Sequence, residues 1–537
     1  MSRIGRRKML SYLAALPAAF LPAPAWASRS ARRTSAADLV DAHCHVFNVT
    51  DLTATKFALA FIGIFPRPLG PTEPEAILER LIRRIVNRLS ARVPSAASEA
   101  DMLGLPLLAP PGVAELTTAE EEQVDTLRTQ AEAAAREVER QRALPPGPAD
   151  RCRPAGGGGI AWSVGAVVKW VRALRLYRHQ LVRSLAARHE AAGYRPRLLC
   201  PALVDYSNWL GERLRSPLPD QVCVMGKIAA LPELPAVHGY APFDPLRLAL
   251  FRHGIAGVDG DWDPMGLMDE ALTGHGFAGV KLYPPMGFRP AGNAADAGAL
   301  YPPAAAALPG GAAAVGAHLD AALDELWDYC LRNDVPVMAH GANSNEGGEY
   351  YGYRADPTHW VALMARRPRL RVMLAHFGGF DSVALGHGVP GKPCPWPVSF
   401  EDSWEGVIGR YVERHPGSHL YADISFLGEI YDRRDRERSA ERLRQYLRCD
   451  PDARHLVFGS DWLMLGIHRG WGRRPYYASR VAAFLRDCGI VDEKLERVMQ
   501  GNALRFLGLA ERDPTRERLL HFYAENGLPP DRLPLAA

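Results

Sequence analysis

The sequence predicts an α/β fold, a (β/α)8 TIM barrel with a large helical insertion between its first two strands. Three observations lead there. Between about 195 and 509 short apolar runs alternate with helical stretches. The runs are continuously apolar rather than alternating, as strands buried on both faces of a parallel sheet must be. With an earlier run at 38–42 they number eight, the count of a closed barrel. An open doubly wound sheet is the alternative, but no glycine-rich phosphate loop follows the first run.

The strands are expected at 38–42, 198–204, 237–240, 279–283, 335–339, 371–375, 419–424 and 455–459. Helices such as 319–332 and 357–367 lie between consecutive strands. The barrel as a whole is expected over 38–510, with a C-terminal helical tail over 511–537. The stretch 49–193 is too long for a simple strand-to-helix connection. It carries an apolar run at 57–65, a helical stretch at 117–142 rich in Ala, Glu, Gln and Arg, and Pro145-Pro146-Gly147-Pro148. A glycine run at 156–159 and one amphipathic helix from about 164 to 188 complete it. These features describe a helical insertion, partly disordered, that either packs against the barrel or covers its mouth. A low-complexity stretch at 291–314 is expected to be a surface loop.

Length and composition set the frame. The chain has 537 residues, 47% hydrophobic and 23% charged, an ordinary globular balance with ample material for a core. Its formal charge of +4 resides in the first 27 residues, which hold Arg3, Arg6, Arg7 and Lys8 and no acid. The remainder is formally neutral, so charge gives no reason to expect nucleic acid or an anionic membrane as partner. Residues 1–27 read as an export signal. A basic stretch with paired arginines, twin-arginine-like, leads into an apolar run, and Ala25-Trp26-Ala27 offers a cleavage site before Ser28. The apolar run is too short and proline-broken for a membrane span. The expectation is a periplasmic or secreted protein. Its eight cysteines include no CxxC pair and do not amount to a disulfide framework.

The chemistry-bearing residues cluster at strand ends. Asp41-Ala42-His43-Cys44-His45 closes the first strand, and side chains two apart share a face, so His43 and His45 can reach one metal ion. His340, His376 and Asp461 each follow an apolar run directly. That is the C-terminal edge where barrel enzymes keep their reactive groups. Histidines and a carboxylate converging on one rim suit a borderline metal such as zinc. Asp205 and Asp423 also end strands and could orient ligand histidines or cap helices. The loop 341–353, with Asn343, Asn345, Glu346, Tyr350, Tyr351 and Tyr353, either shapes substrate recognition or is a solvated surface loop. No GxSxG elbow, phosphate loop or nucleic-acid motif is present.

DAHCH at 41–45, GVKLYPP at 279–285, MAHG at 338–341, LAHFGG at 374–379, FGSDW at 458–462 and GNALRFLGL at 501–509 together resemble the amidohydrolase superfamily. The resemblance is to its amidohydrolase-related branch, which includes metal-dependent aromatic-acid decarboxylases. It covers the first strand and most of 195–509, not the insertion. It implies one divalent metal, zinc first, held by His43, His45, His340 and Asp461, with His376 beside the bound water as base or electrophile. Asp461 would take a proton from that water and return it to the leaving group. Lys281, at the end of the fourth strand, stands where dinuclear relatives place a carboxylated lysine bridging a second metal. Its rival roles are holding a substrate carboxylate or pairing with a nearby acid. The expected activity is hydrolysis of an ester or amide-type bond in a small molecule. The alternatives are non-hydrolytic decarboxylation of an aromatic or unsaturated acid, and an idle metal- or partner-binding barrel. Substrate identity and oligomeric state stay open at this stage.

Overall fold

The computed structural model describes residues 36–62, 71–104, 115–142, 160–296, 299–344, 347–348, 351–379, 398–431, 433–464 and 476–536. The expected signal at 1–27, the proline stretch 145–148, the glycine run 156–159, residues 63–65 of the apolar run, and Asn345, Glu346 and Tyr350 lie outside them. The fold is α/β with parallel strands throughout. Strands β1 (Ala37–Cys44), β2 (Tyr194–Pro201) and β3 (Ala236–Val237) form one sheet. Strands β4 (Tyr240–Pro242), β5 (Gly279–Leu282), β6 (Val337–His340), β7 (Val372–Ala375), β8 (Leu420–Asp423) and β9 (Leu456–Val457) form the other in that order. From β3 to β9 every strand residue is buried, which is why these runs are apolar without alternation.

The strand expected at 237–240 is two short strands, β3 and β4, with a break at His238 and Gly239. A side chain at Gly239 would lie 2.2 Å from the Pro201 carbonyl oxygen, so β2 presses against the backbone there. His238 N still extends the β2–β3 pairing to Leu199 O (3.1 Å), and a bond from Leu203 N to Tyr240 O (3.2 Å) crosses between the sheets. At the opposite margin Ala42 N donates to Phe458 O (3.2 Å) and Ser460 N to His43 O (2.9 Å), linking β1 to the chain leaving β9.

Among the described residues, six helices separate β1 from β2: α1 (Ala54–Phe61), α2 (Glu73–Ser90), α3 (Ala96–Leu103), α4 (Thr118–Arg142), α5 (Ile160–Ala173) and α6 (Arg178–Ala191). Thr72 and Glu75 cap α2 reciprocally, with Pro74 in its first turn, and Ser95 caps α3. Helix α4 packs along α2 and α5. The single helix expected from about 164 to 188 is corrected to two, α5 and α6. An unbroken helix would aim the Arg178 and His179 amides at carbonyls four residues back. Instead they donate to Glu99 Oε2 (2.9 Å) and Oε1 (3.0 Å), on α3. The Arg178 guanidinium completes that buried junction with Asp51 (Nε–Oδ2 2.8 Å) and Glu99 (Nη1–Oε2 2.9 Å).

The stretch 291–314 is not a plain surface loop. It folds into 3-10 turns at Asn293–Ala295, Pro303–Ala307 and Gly311–Ala313, with Ala305 and Leu308 buried. Near the C-terminus a helix over Pro514–Glu525 packs on the helix Pro264–Gly274. All six cysteines among the described residues are free thiols. No helix among them is long and apolar enough to cross a membrane.

Candidate active site

The C-terminal ends of β1, β5, β6, β7, β8 and β9 bring the expected residues together. His43, next to last in β1, is fully buried, with Asp423 Oδ2 2.9 Å from Nδ1 and Asp461 Oδ1 3.4 Å from Nε2. His45 donates from Nδ1 to the Ala202 carbonyl (3.0 Å), and its Nε2 lies 3.1 Å from the same Asp461 oxygen. His340, the last residue of β6, packs its ring 4.6 Å from His376 and 4.3 Å from Tyr283. His376 has a left-handed backbone (φ +67°), as do Phe377 (+47°) and Gly378 (+76°). Its amide donates to Asp423 Oδ1 (3.0 Å). Asp461 is likewise left-handed (φ +49°). Three non-glycine residues in this region, His376, Phe377 and Asp461, each a roughly 1–2 kcal/mol strain, mark positions fixed by their surroundings. His43, His376 and Asp461 offer donor atoms all within 4.8 Å of one another. His45 and His340 flank that group.

Burial shapes the electrostatics. It pushes His45 and His340 below the ordinary histidine range and His376 down to about 4, so these rings are neutral at pH 7. Burial would raise the Asp461 carboxyl, but the imidazoles of His45, His43 and His376 around it outweigh burial and hold it below its ordinary range. The same contest at Asp423, won by His43, holds that carboxyl well below the usual range. Burial brings the Lys281 ammonium down to about 8 against the pull of Asp423 and Asp461. Its Nζ is buried without a hydrogen-bond partner, so the pairing with a nearby acid is not formed.

The donor set fits a metal ion. The neutral His45 ring spends its one proton on Ala202, so its Nε2 lone pair faces an ionised carboxylate oxygen at 3.1 Å. Two acceptors at that distance repel unless a cation lies between them. His43 repeats the arrangement, with its Nδ1 proton on Asp423 and its buried Nε2 lacking any hydrogen bond. The buried His340 Nε2 is equally unpartnered. Ligand atoms about 2.0–2.1 Å from a tetrahedral zinc stand roughly 3.3 Å apart, which matches the 3.1 and 3.4 Å separations.

Asp423 and Asp205 look alike in sequence and part company here. Asp423 orients His43, whereas Asp205 pairs with the buried Arg247 (Nη2–Oδ1 3.0 Å) and accepts from Ser207 Oγ (2.9 Å), away from the histidines. Of the 341–353 loop, Tyr351 and Tyr353 are buried, with the Arg354 guanidinium 4.5 and 4.9 Å from their ring centres. They are packing residues, not a solvated surface.

Two roles escaped sequence reasoning. Ser425 Oγ lies 3.1 Å from His43 Nδ1 and 2.9 Å from His376 Nδ1. Its one signal is the strand-like spacing Asp423-Ile424-Ser425. Asp41 accepts from Ser460 N (2.9 Å), Ser460 Oγ (2.6 Å) and His189 Nε2 (3.0 Å), tying α6 to the turn that presents Asp461.

No curated protein sequence matches the chain. A solved structure, the probable 2-pyrone-4,6-dicarboxylic acid hydrolase of Acinetobacter baumannii with citric acid bound, is 14% identical. The match covers 61% of this chain and 88% of that one at a TM-score of 0.32, a likeness too loose to carry an argument. Residues 266–509 match the family model described as amidohydrolase, which supports a metal-dependent hydrolase or decarboxylase. The residues from 266 to 509 that resemble the amidohydrolase family include Lys281, His340, His376, Asp423 and Asp461.

Proposed function

We propose that this protein is a zinc-dependent hydrolase that cleaves an ester or amide-type bond of a small molecule, on a closed (β/α)8 barrel interrupted by the 49–193 insertion. The observation that carries this reading is the opposition of the His45 and His43 Nε2 atoms to Asp461, acceptor against acceptor at 3.1 and 3.4 Å. The hydrogen bond from Ala42 to Phe458 supports closure. His43, His45, His340 and Asp461 would hold the ion. When bound, a divalent metal supplies Lewis acidity and lowers the pKa of a water towards roughly 7. Asp461, kept ionised by its imidazole neighbours, takes a proton and returns it to the leaving group. His376 faces the charge that develops on the substrate carbonyl oxygen.

One observation favours the second reading, decarboxylation of an aromatic or unsaturated acid. The unpartnered Lys281 ammonium can hold a substrate carboxylate next to the histidines. Mass balance separates the two, since hydrolysis adds the atoms of water and decarboxylation releases CO2. The test of the first reading is metal analysis of the purified protein followed by an ester and amide panel. Turnover that a chelator abolishes and zinc restores is expected. Full activity in a His43→Ala, His340→Ala double variant overturns it.

The paired-arginine segment before Ser28 supports export, with the reaction placed in the periplasm or outside the cell. N-terminal sequencing of protein from the periplasmic fraction is expected to begin at Ser28. An intact Met1 terminus there refutes cleavage.

A further inference from the structure

We propose that Ser425 is a positioning residue that fixes His376 as its Nε2–H tautomer, so that this ring presents a hydrogen-bond donor to the site and stands outside the metal's ligand set. The inference rests on the hydrolase reading and assigns His376 one of its two open roles.

The argument starts at the end of β8. Asp423 and Ser425 are two residues apart in extended chain and share a face, so both side chains meet His43. Asp423 Oδ2 lies 2.9 Å from His43 Nδ1. An ionised carboxylate only accepts, so the proton of that pair sits on His43 Nδ1. Ser425 Oγ, 3.1 Å from the same nitrogen, meets an N–H and can only accept from it. A hydroxyl has one proton, and with its accepting side turned to His43 that proton points along the 2.9 Å contact to His376 Nδ1. Nδ1 of His376 is then an acceptor, and a neutral imidazole has its single N–H on the other nitrogen.

The surroundings keep the ring in that pose. Asp423 Oδ1 accepts from the amides of both His376 and Ser425, each at 3.0 Å, which locks the two backbones to one carboxylate. The competing arrangement turns the hydroxyl towards Asp423 and puts the His376 proton on Nδ1. Its Nε2 lone pair would then join His43 and Asp461, whose donor atoms lie within 4.8 Å, as a third metal ligand. Against it, Asp423 already accepts three N–H groups, and although the Ser425 hydroxyl also reaches that carboxylate, His376 Nδ1 stands 2.9 Å from Oγ and has no other donor to meet there among the described residues. A donor at Nε2 polarises a carbonyl oxygen and cannot take a proton from water. That task falls to Asp461.

The test uses metal-free protein labelled with 15N-histidine, read by long-range 1H–15N correlation at pH 7.5, with His376 assigned by its loss in His376→Gln. The expected pattern is a protonated Nε2 and a bare Nδ1. Ser425→Ala should lose that fixed pattern for a mixture or for Nδ1–H, and Ser425→Thr, which retains the hydroxyl, should restore it. A wild-type ring protonated at Nδ1, or an unchanged pattern in a folded Ser425→Ala, overturns the proposal. Should Ser425→Ala not fold, the wild-type spectrum decides alone. Calorimetric titration of the same wild-type sample with zinc chloride tests the underlying reading separately. No zinc binding sinks the hydrolase and leaves the tautomer assignment standing.

Discussion

Replacing Asp423 by Asn should weaken zinc binding by roughly 10- to 100-fold although Asp423 never touches the metal. The carboxylate accepts from three donors, His43 Nδ1 at 2.9 Å and the amides of His376 and Ser425 at 3.0 Å each. An asparagine keeps one accepting oxygen. If that oxygen stays with the two backbone amides, its NH2 confronts the His43 Nδ1 proton, donor against donor. Relief comes when His43 moves its proton to Nε2, the nitrogen that must offer a lone pair to the metal. Loss of such outer partners typically costs 10- to 100-fold in metal affinity, about 1.4–2.7 kcal/mol. Loss of a hydrogen bond to a charged group adds about 1.5–3 kcal/mol to the destabilisation of the fold. Competition titration against a chromophoric chelator at pH 7.5 measures the first effect, and urea unfolding the second. An Asp423→Asn affinity within threefold of wild type would show that His43 does not depend on Asp423 for its tautomer.

Other perturbations have equally definite outcomes. Arg178→Ala leaves Asp51 and Glu99 buried without their cation, so urea unfolding should show a loss of about 3–5 kcal/mol; a loss under 1 kcal/mol refutes the junction's importance. Gly459→Ala puts a methyl 2.7 Å from the His43 Cβ, and should lower zinc affinity while the circular dichroism spectrum stays native; unchanged affinity means the strand gives way instead. Burial holds His376 and His238 near 4 in the fold against about 6.5 unfolded, so their neutral forms favour folding above pH 6.5 and that stability is lost as pH falls towards 4. Each contributes up to about 3 kcal/mol, with Asp244, raised to about 7, working in the opposite direction. The Tm of metal-free protein should therefore drop across that window and drop less steeply in His238→Gln. A flat profile refutes the assignment.

What the sequence revealed and what it hid follows from the range of the interactions. Strand ends were legible because β6, β7 and β8 are buried apolar runs that stop at a polar residue of the site: His340 closes β6, His376 follows β7 and Asp423 closes β8. The break between β3 and β4 was not legible, because it depends on the Pro201 carbonyl pressing against Gly239. The division between α5 and α6 was hidden for the same reason, since Glu99, 79 residues away, captures the amide of Arg178. Asp205 and Asp423 follow equivalent strands, and only the fold shows that Arg247 takes one and His43 the other. Serines are too common for Ser425 to stand out.

The charges of the site constrain how many metals it takes. Asp423 and Asp461 are ionised, Lys281 unmodified is cationic, and ligand imidazoles are neutral, which leaves one net negative charge. An oxyanion forming there would be repelled. One divalent ion reverses the sign and supplies the positive field that acyl transfer needs. Carboxylation of Lys281 would exchange an ammonium for an anion, and two divalent ions would then be required to reach the same positive balance. Each state is electrostatically self-consistent, and mixed states are not: one ion with a carboxylated Lys281 stays negative, and two ions with an ammonium between them repel strongly. Lys281→Met separates the alternatives. If the wild type binds one zinc per chain with a free ammonium, the variant should keep that stoichiometry and bind zinc more tightly, having lost a buried positive charge beside the ion. If the lysine bridges two metals, the count should fall from two. Weaker binding at unchanged stoichiometry would contradict both assignments and mean that Lys281 supports the site through packing alone.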